Sequence, residues 1–366
     1  METVRRNGYM KKRKIGISKW FIALILAAAL LFGSVPAAYA SGEPEQVTFA
    51  VSAVLPENQI NETVSYFDLR MQPEEEQDLA VTVYNQGTKE IKVRAEAISA
   101  STNANGIIDY KTPDKKDETL KIPFSEIAEV KTPVLTIPAG GEKTAYIHVS
   151  MPRSLYDGTV LGGIVLTQEK EPEAAEETKQ GVVIQNEYSY VVGIKLSETD
   201  VEVLPEFEPV EAVPGIENYH AAVTHYIRNR EAAIAKDISL AIEVFRDGKQ
   251  EAVKTSAATV DMAPNSVLPY PILWEEELQP GKYVSHVEME MDGRTWEMDM
   301  PFEITAQAAQ EIATGSVDTE PGLPWWGILL IVLVIVLIVI LLLLLAAVKR
   351  KKRNDPDENT RAGRRK

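Results

Sequence analysis

Any catalytic or metal site in this chain would have to be built from four histidines and 54 acidic side chains, because it contains no cysteine. The absence of cysteine removes disulfides, thiolate metal ligands and cysteine nucleophiles. His220 and His225 stand five residues apart. On a strand that spacing puts them on opposite faces, and on a helix they do not stack as i,i+4 ligands. No metal site and no cofactor are therefore predicted. His148 and His286 share strand faces with polar neighbours and read as solvated. Glu74-Glu75-Glu76 and Glu275-Glu276-Glu277 are charge runs of the kind found in solvated turns. The sequence contains no nucleophile elbow, H-E-x-x-H, phosphate loop or dinucleotide fingerprint, so no catalytic residue is assigned. A glycan hydrolase needs only two carboxylates and no local motif, and it stays as the enzymatic alternative.

Binding chemistry is better represented. Ser101 to Tyr110 is a polar turn ending in an aromatic. Its Asn103, Asn105, Asp109 and Tyr110 supply amides, a carboxylate and a flat ring, the groups that sugar hydroxyls and glycan faces require. The competing reading is a hairpin whose Asn side chains satisfy its own backbone. Tyr156 and Asp157, just before Gly158, complete the candidate ligand-binding set. They lead into Val160-Leu161-Gly162-Gly163-Ile164, where paired glycines in an apolar strand indicate close backbone approach or a bulge. Trp274 and Trp296 read as core anchors, with exposed binding aromatics as the alternative.

The elements that must position these residues begin with two that lie outside the folded body. The chain has 366 residues and a formal net charge of −16. Residues 1–40 hold 7 basic and 1 acidic side chains, and 349–366 hold 9 and 3, so the stretch between them carries −28. Such a body repels phosphate backbones and argues against nucleic-acid binding. Basic residues up to Lys19, the apolar run Trp20 to Phe32 and Ala38-Tyr39-Ala40 form the three parts of a secretory signal. From Trp325 to Val348, 24 residues run without a charge, enough for a helix to cross a bilayer. Lys349 to Arg353 follow at once. The positive-inside rule puts this tail in the cytoplasm and the body outside, in a single-pass cell-membrane protein.

Between these segments, apolar residues alternate at period two, the mark of strands with one buried face. Leu79, Val81 and Val83 form one such row. Ala145, Ile147, Val149 and Met151 form another, opposite Tyr146, His148 and Ser150. Ile238 to Val244 and Trp296 to Ile304 repeat the pattern. Asn105-Gly106, Gly140-Gly141, Asp247-Gly248, Pro280-Gly281 and Asp292-Gly293 mark turns. The expected fold is all-β: two tandem immunoglobulin-like β-sandwiches over 46–170 and 176–308. A linker over 309–324, the transmembrane helix over 325–348 and the tail over 349–366 follow. The acidic stretch 169–181 reads either as an interdomain linker or as a long hairpin loop.

Several blocks in order resemble the WxL-interacting proteins of Gram-positive bacteria. They are Phe49 to Gln59, Tyr66-Phe67-Asp68-Leu69, Asn105 to Tyr110, Met151-Pro152 through Asp157-Gly158 to Ile164, Tyr190-Val191-Val192-Gly193, and Met262-Ala263-Pro264-Asn265-Ser266. The final helix and basic tail agree. The resemblance implies a peptidoglycan domain followed by a host-binding domain. It further implies a protein that sits in the membrane, contacts the wall and assembles with secreted WxL-domain proteins. The expected function is a membrane-anchored, non-catalytic cell-surface scaffold. Its expected partners are peptidoglycan, WxL-domain surface proteins, host extracellular matrix proteins and, through one helix, membrane lipid. An adhesin for host matrix proteins shares this fold and is the second alternative.

Overall fold

In a computed structural model the described residues are 49–112, 116–169, 188–274, 276–317 and 325–351. The secretory signal, most of the acidic stretch and the basic tail beyond Lys351 fall outside them. The two sandwiches described below belong to one unit of the chain, Thr48–Lys366.

The first sandwich packs a four-stranded sheet on a five-stranded one. The smaller sheet has the order β1 (Phe49–Val54), β3 (Glu76–Asn85), β9 (Glu142–Ser150), β7 (Ala128–Val130). The larger has the order β2 (Phe67–Arg70), β11 (Ser189–Ser197), β10 (Val160–Glu169), β4 (Ile91–Ser99), β8 (Val134–Ile137). Only β2 and β11 pair in parallel; the other ladders are antiparallel. The alternating rows behave as expected. Leu79, Val81 and Val83, and Ala145, Ile147 and Val149, are all buried in one core with Phe49, Phe67 and Phe124. A single helical turn, α1 (Phe124–Ile127), plugs the sandwich. Gly162 is there for its ring, since a Cβ at Gly162 would lie 2.2 Å from Phe124 Cδ1.

The second sandwich packs β12 (Phe207–Glu217), β13 (His220–Asn229) and β16 (Ser266–Leu273) on a four-stranded sheet. That sheet has the order β15 (Lys254–Met262), β14 (Ala235–Arg246), β17 (Gly281–Met291), β18 (Arg294–Ile304). Trp274 and Trp296 are buried in its core. The Trp296 ring meets Phe207 edge-on at 4.7 Å and carries the Arg294 guanidinium over its face at 4.5 Å. His225 is fully buried with Nε2 at 2.7 Å from Ser285 Oγ, and burial pushes its pKa down to about 4.

Three features differ from the sequence expectation. Ser189–Ser197 falls within 176–308 yet pairs with β10 along its length, from Val160↔Leu196 to Thr167↔Ser189. Its Val192, Ile194 and Leu196 complete the first core. The acidic stretch thus joins two neighbouring strands of one sheet. Secondly, the linker expected from 309 begins later. Helix α2 (Ala306–Gly315), capped by Thr305 through Ala308 N–H, buries Ala309 and Ile312 in the second core. Thirdly, His148 and His286 are not merely solvated. Each meets a carboxylate on the adjacent strand, Asp78 and Asp299 respectively.

A last helix, α3 (Trp325–Lys351), is long and apolar enough to cross a membrane, and its side chains from Leu329 to Ala346 touch nothing that buries them.

Candidate functional site

The hairpin β5 (Ser101–Thr102) and β6 (Ile108–Asp109) holds four of the six predicted ligand residues. Much of their polar capacity is used locally. Asn103 Oδ1 accepts from the backbone N–H of Asn105 at 2.9 Å and of Ile107 at 3.2 Å, and its amide donates to Asp109 at 3.4 Å. Asp109 also accepts from the Tyr110 N–H at 2.7 Å. Tyr110 lies flat on the outer face of the larger sheet. A Cβ at Gly163 would be 3.0 Å from its ring, and one at Gly193, the cross-strand partner, 3.4 Å from its hydroxyl. Burial, with a smaller contribution from Tyr66, raises the Tyr110 pKa. Asn105 alone of the four is exposed; the other three are half-buried.

The hairpin also docks on the second sandwich. Gly106 adopts φ 67° and its carbonyl accepts from the Asp261 N–H at 2.7 Å. Thr102, Ala263 and Ser266 close a ring of hydrogen bonds. The Ala263 N–H donates to Thr102 Oγ1 at 3.0 Å, and the Ser266 hydroxyl donates to the Ala263 carbonyl at 2.8 Å. Because Ser266 has spent its proton, the 2.7 Å contact between the hydroxyls is donated by Thr102.

The other two predicted residues lie on a second loop, from which Tyr156 reaches the same segment. The Tyr156 hydroxyl donates to Asn265 Oδ1 at 3.3 Å. Burial, and then the Glu231 carboxylate, push the Tyr156 pKa up to about 12. Asp157 accepts from Thr199 at 2.6 Å. Beside them the Thr159 N–H donates to the Ala232 carbonyl at 2.8 Å. The segment Met262-Ala263-Pro264-Asn265-Ser266 of the second sandwich is therefore held by Thr102 of the hairpin and by Tyr156, the one predicted residue that touches it. An ionic contact adds to the junction. Arg228 reaches Asp117 at 2.9 Å, Glu208 at 2.7 Å and Glu118 at 3.1 Å. Burial raises the Asp117 pKa, but hydrogen bonds from Thr119 and Arg228 outweigh it and leave the carboxyl below its ordinary range.

An open cleft of about 680 Å³ lies elsewhere in the first sandwich, bounded by β4, α1 and β7. It is lined by the apolar Ala97, Ile127 and Val130 and by Glu96, Ser125, Glu126, Glu129 and His148. The His148 ring is fixed by Asp78, which accepts at 2.8 Å and in turn holds Lys131 Nζ at 2.6 Å. These hydrogen bonds, from Lys131 first and His148 second, lower the Asp78 pKa. Glu126 is met by Lys116 at 2.7 Å. Such a cleft offers acceptors to hydroxyl and amino groups and apolar side chains to methyl groups. Sequence reading missed these residues because no local motif links them. The outward parity of His148 was visible; its cross-strand neighbours Asp78 and Glu129 were not. Among the described residues, no group of three or more His, Asp or Glu side chains is placed to hold a metal ion.

Comparison with known proteins agrees with the sequence resemblance. No curated protein matches the chain. Among solved structures, the YadV chaperone is 11% identical with a TM-score of 0.30, over 70% of this chain and all of that one. The E. coli chaperone DraB is 15% identical with a TM-score of 0.27, over 70% of this chain and 98% of that one. A PapD-like domain of human CEP192 is 10% identical with a TM-score of 0.26, over 44% of this chain and 93% of that one. At such identities and scores these likenesses bear on neither ligand nor partner. Two family models match in tandem. Residues 49–168 fit the peptidoglycan binding domain of WxL Interacting Protein, and residues 179–314 fit its host binding domain. The second match starts before β11, although β11 is hydrogen-bonded into the first sandwich. With both domains present in family order and covering well over half its length, the chain belongs to the WxL-interacting protein family.

Proposed function

We propose that this protein is a membrane-anchored, non-catalytic scaffold of the cell surface. The first sandwich holds peptidoglycan, and the second engages a protein, either a secreted WxL-domain protein or a host matrix protein. Helix α3 retains the assembly in the membrane, with the body outside and the basic tail in the cytoplasm. The observation that carries this reading is the order of parts: a peptidoglycan binding domain, a host binding domain, then a 27-residue helix that is apolar up to its basic end at Lys349. The mixed carboxylate and apolar lining of the first-sandwich cleft suits a glycan bearing N-acetyl methyls and a peptide with free amines. The hairpin of Asn103, Asn105, Asp109 and Tyr110 is the rival site.

The test is co-sedimentation of the detergent-solubilised full chain with protein-free sacculi. Replacing Glu96, Glu126 and Glu129 together by Gln should abolish pelleting if the cleft is the site. Loss on replacing Asn105 and Asp109 by Ala instead would move the site to the hairpin. Wild-type chain that stays in the supernatant defeats the proposal. Release of soluble wall fragments would turn it toward a hydrolase.

A further inference from the structure

The tip of the β12–β13 hairpin is built against its own conformational preference. Asn218 and Tyr219 form a two-residue turn with φ 49° and 69°, flanked by the pair Glu217↔His220. Two-residue hairpin turns of this hand favour Asn-Gly, and a tyrosine in the left-handed region is strained. Packing does not compensate, because Tyr219 is 75% exposed. Strain at an exposed aromatic points to a role outside the fold.

The neighbourhood says what kind. Ile216 on the same hairpin and Val317, just after α2, are also exposed. They are tied together: a Cβ at Gly315 would meet Ile216 Cδ1 at 2.6 Å, and the Val317 N–H donates to the Tyr219 carbonyl at 2.8 Å. Seven residues separate Val317 from Trp325, the first residue of α3. Even fully extended, such a tether reaches no more than roughly 28 Å. This apolar tip is thus the part of the second sandwich leashed most directly to the membrane span. Tyrosine is the side chain suited to the bilayer interface, with an apolar ring and a polar hydroxyl.

We infer that Tyr219, with Ile216 and Val317, rests in the membrane interface and forms a second lipid contact beside α3. The inference rests on reading α3 as a membrane span. The contact is apolar rather than electrostatic, since Glu217 at the tip and Glu276 and Glu277 near Ser316 stand beside it. Anionic headgroups should therefore weaken it.

The cysteine-free sequence allows a clean test. Single variants Tyr219→Cys, Tyr146→Cys and Leu337→Cys of the full chain would carry a nitroxide in nanodiscs of phosphatidylcholine, with and without phosphatidylglycerol. Collision with lipid-soluble oxygen and with an aqueous nickel complex would be compared. The expected result is an oxygen-shifted ratio at position 219, between the aqueous value at 146 and the lipid value at 337. The shift should be smaller with phosphatidylglycerol. A value at 219 equal to that at 146, with 337 in lipid, overturns the inference alone. Aqueous values at all three positions overturn the span reading as well. In a second measurement, Tyr219→Asn should keep or raise the melting temperature while the 216–220 amides exchange faster in nanodiscs. Unchanged exchange in that variant counts against the contact.

Discussion

Gly106 and Val260 lie so close that a β-carbon on Gly106 would stand 2.3 Å from Val260 Cγ1. One belongs to a hairpin of the first sandwich, the other to a strand of the second. Glycine is required at that position twice over, by the left-handed φ and by the contact. Gly106→Ala should cost about 1–2 kcal/mol from backbone strain alone, with the clash added. Calorimetry of the full chain should show the two sandwiches unfolding in separate, lower transitions. A single unshifted transition would show that the hairpin does not couple them.

Thr102, Ala263 and Ser266 make a closed ring of buried hydrogen bonds across the same junction. Thr102→Val keeps the shape and strands the Ala263 N–H and the Ser266 oxygen. The expected loss is about 1–3 kcal/mol. Ser266→Ala on that background should add less than it costs alone, because the two hydroxyls act as one network. Urea denaturation of the four forms of the cycle measures the coupling; strict additivity would contradict the ring.

His225 makes stability depend on pH. Its ordinary pKa is 6.5, and burial holds it near 4 in the folded chain. As pH falls, the unfolded state takes up the proton first. Stability is therefore full above 6.5, declines between 6.5 and 4, and levels off below. The decline from this group approaches roughly 3 kcal/mol at 1.36 kcal/mol per pKa unit. Replacing His225 by Leu together with Ser285 by Ala should remove that slope. Urea midpoints over the same pH range check it, and an undiminished slope would assign it to other groups.

Trp296 is gripped by Phe207 and Arg294. Trp296→Ala should cost about 3–5 kcal/mol, as for other buried aromatics. Arg294→Ala should cost far less, about 0.5–1 kcal/mol for an exposed cation–π contact. The thermal unfolding midpoints of the two variants distinguish them.

The strand faces were legible because alternation is a local property. The rows named from the sequence, such as Ala145, Ile147 and Val149, are buried, with Met298 only partly so. The apolar span was legible for the same reason, and so was the family, whose blocks keep their order along the chain.

Partnership between distant residues was not legible. Asn105-Gly106 announced a turn, and only the folded chain put Val260 against it. Thr102 and Ser266 are 164 residues apart, and nothing in either neighbourhood names the other. The strand Ser189–Ser197 falls within the stretch the sequence reading gives to the second sandwich. Pairing with Val160–Glu169 decided the matter, because its Val192, Ile194 and Leu196 fill the first core. His148 was rightly placed on an outward face, yet Asp78 and the cleft beside it came only with the sheet. Periodicity fixes which way a side chain points; strand order and the packing of one sandwich on the other fix what it meets.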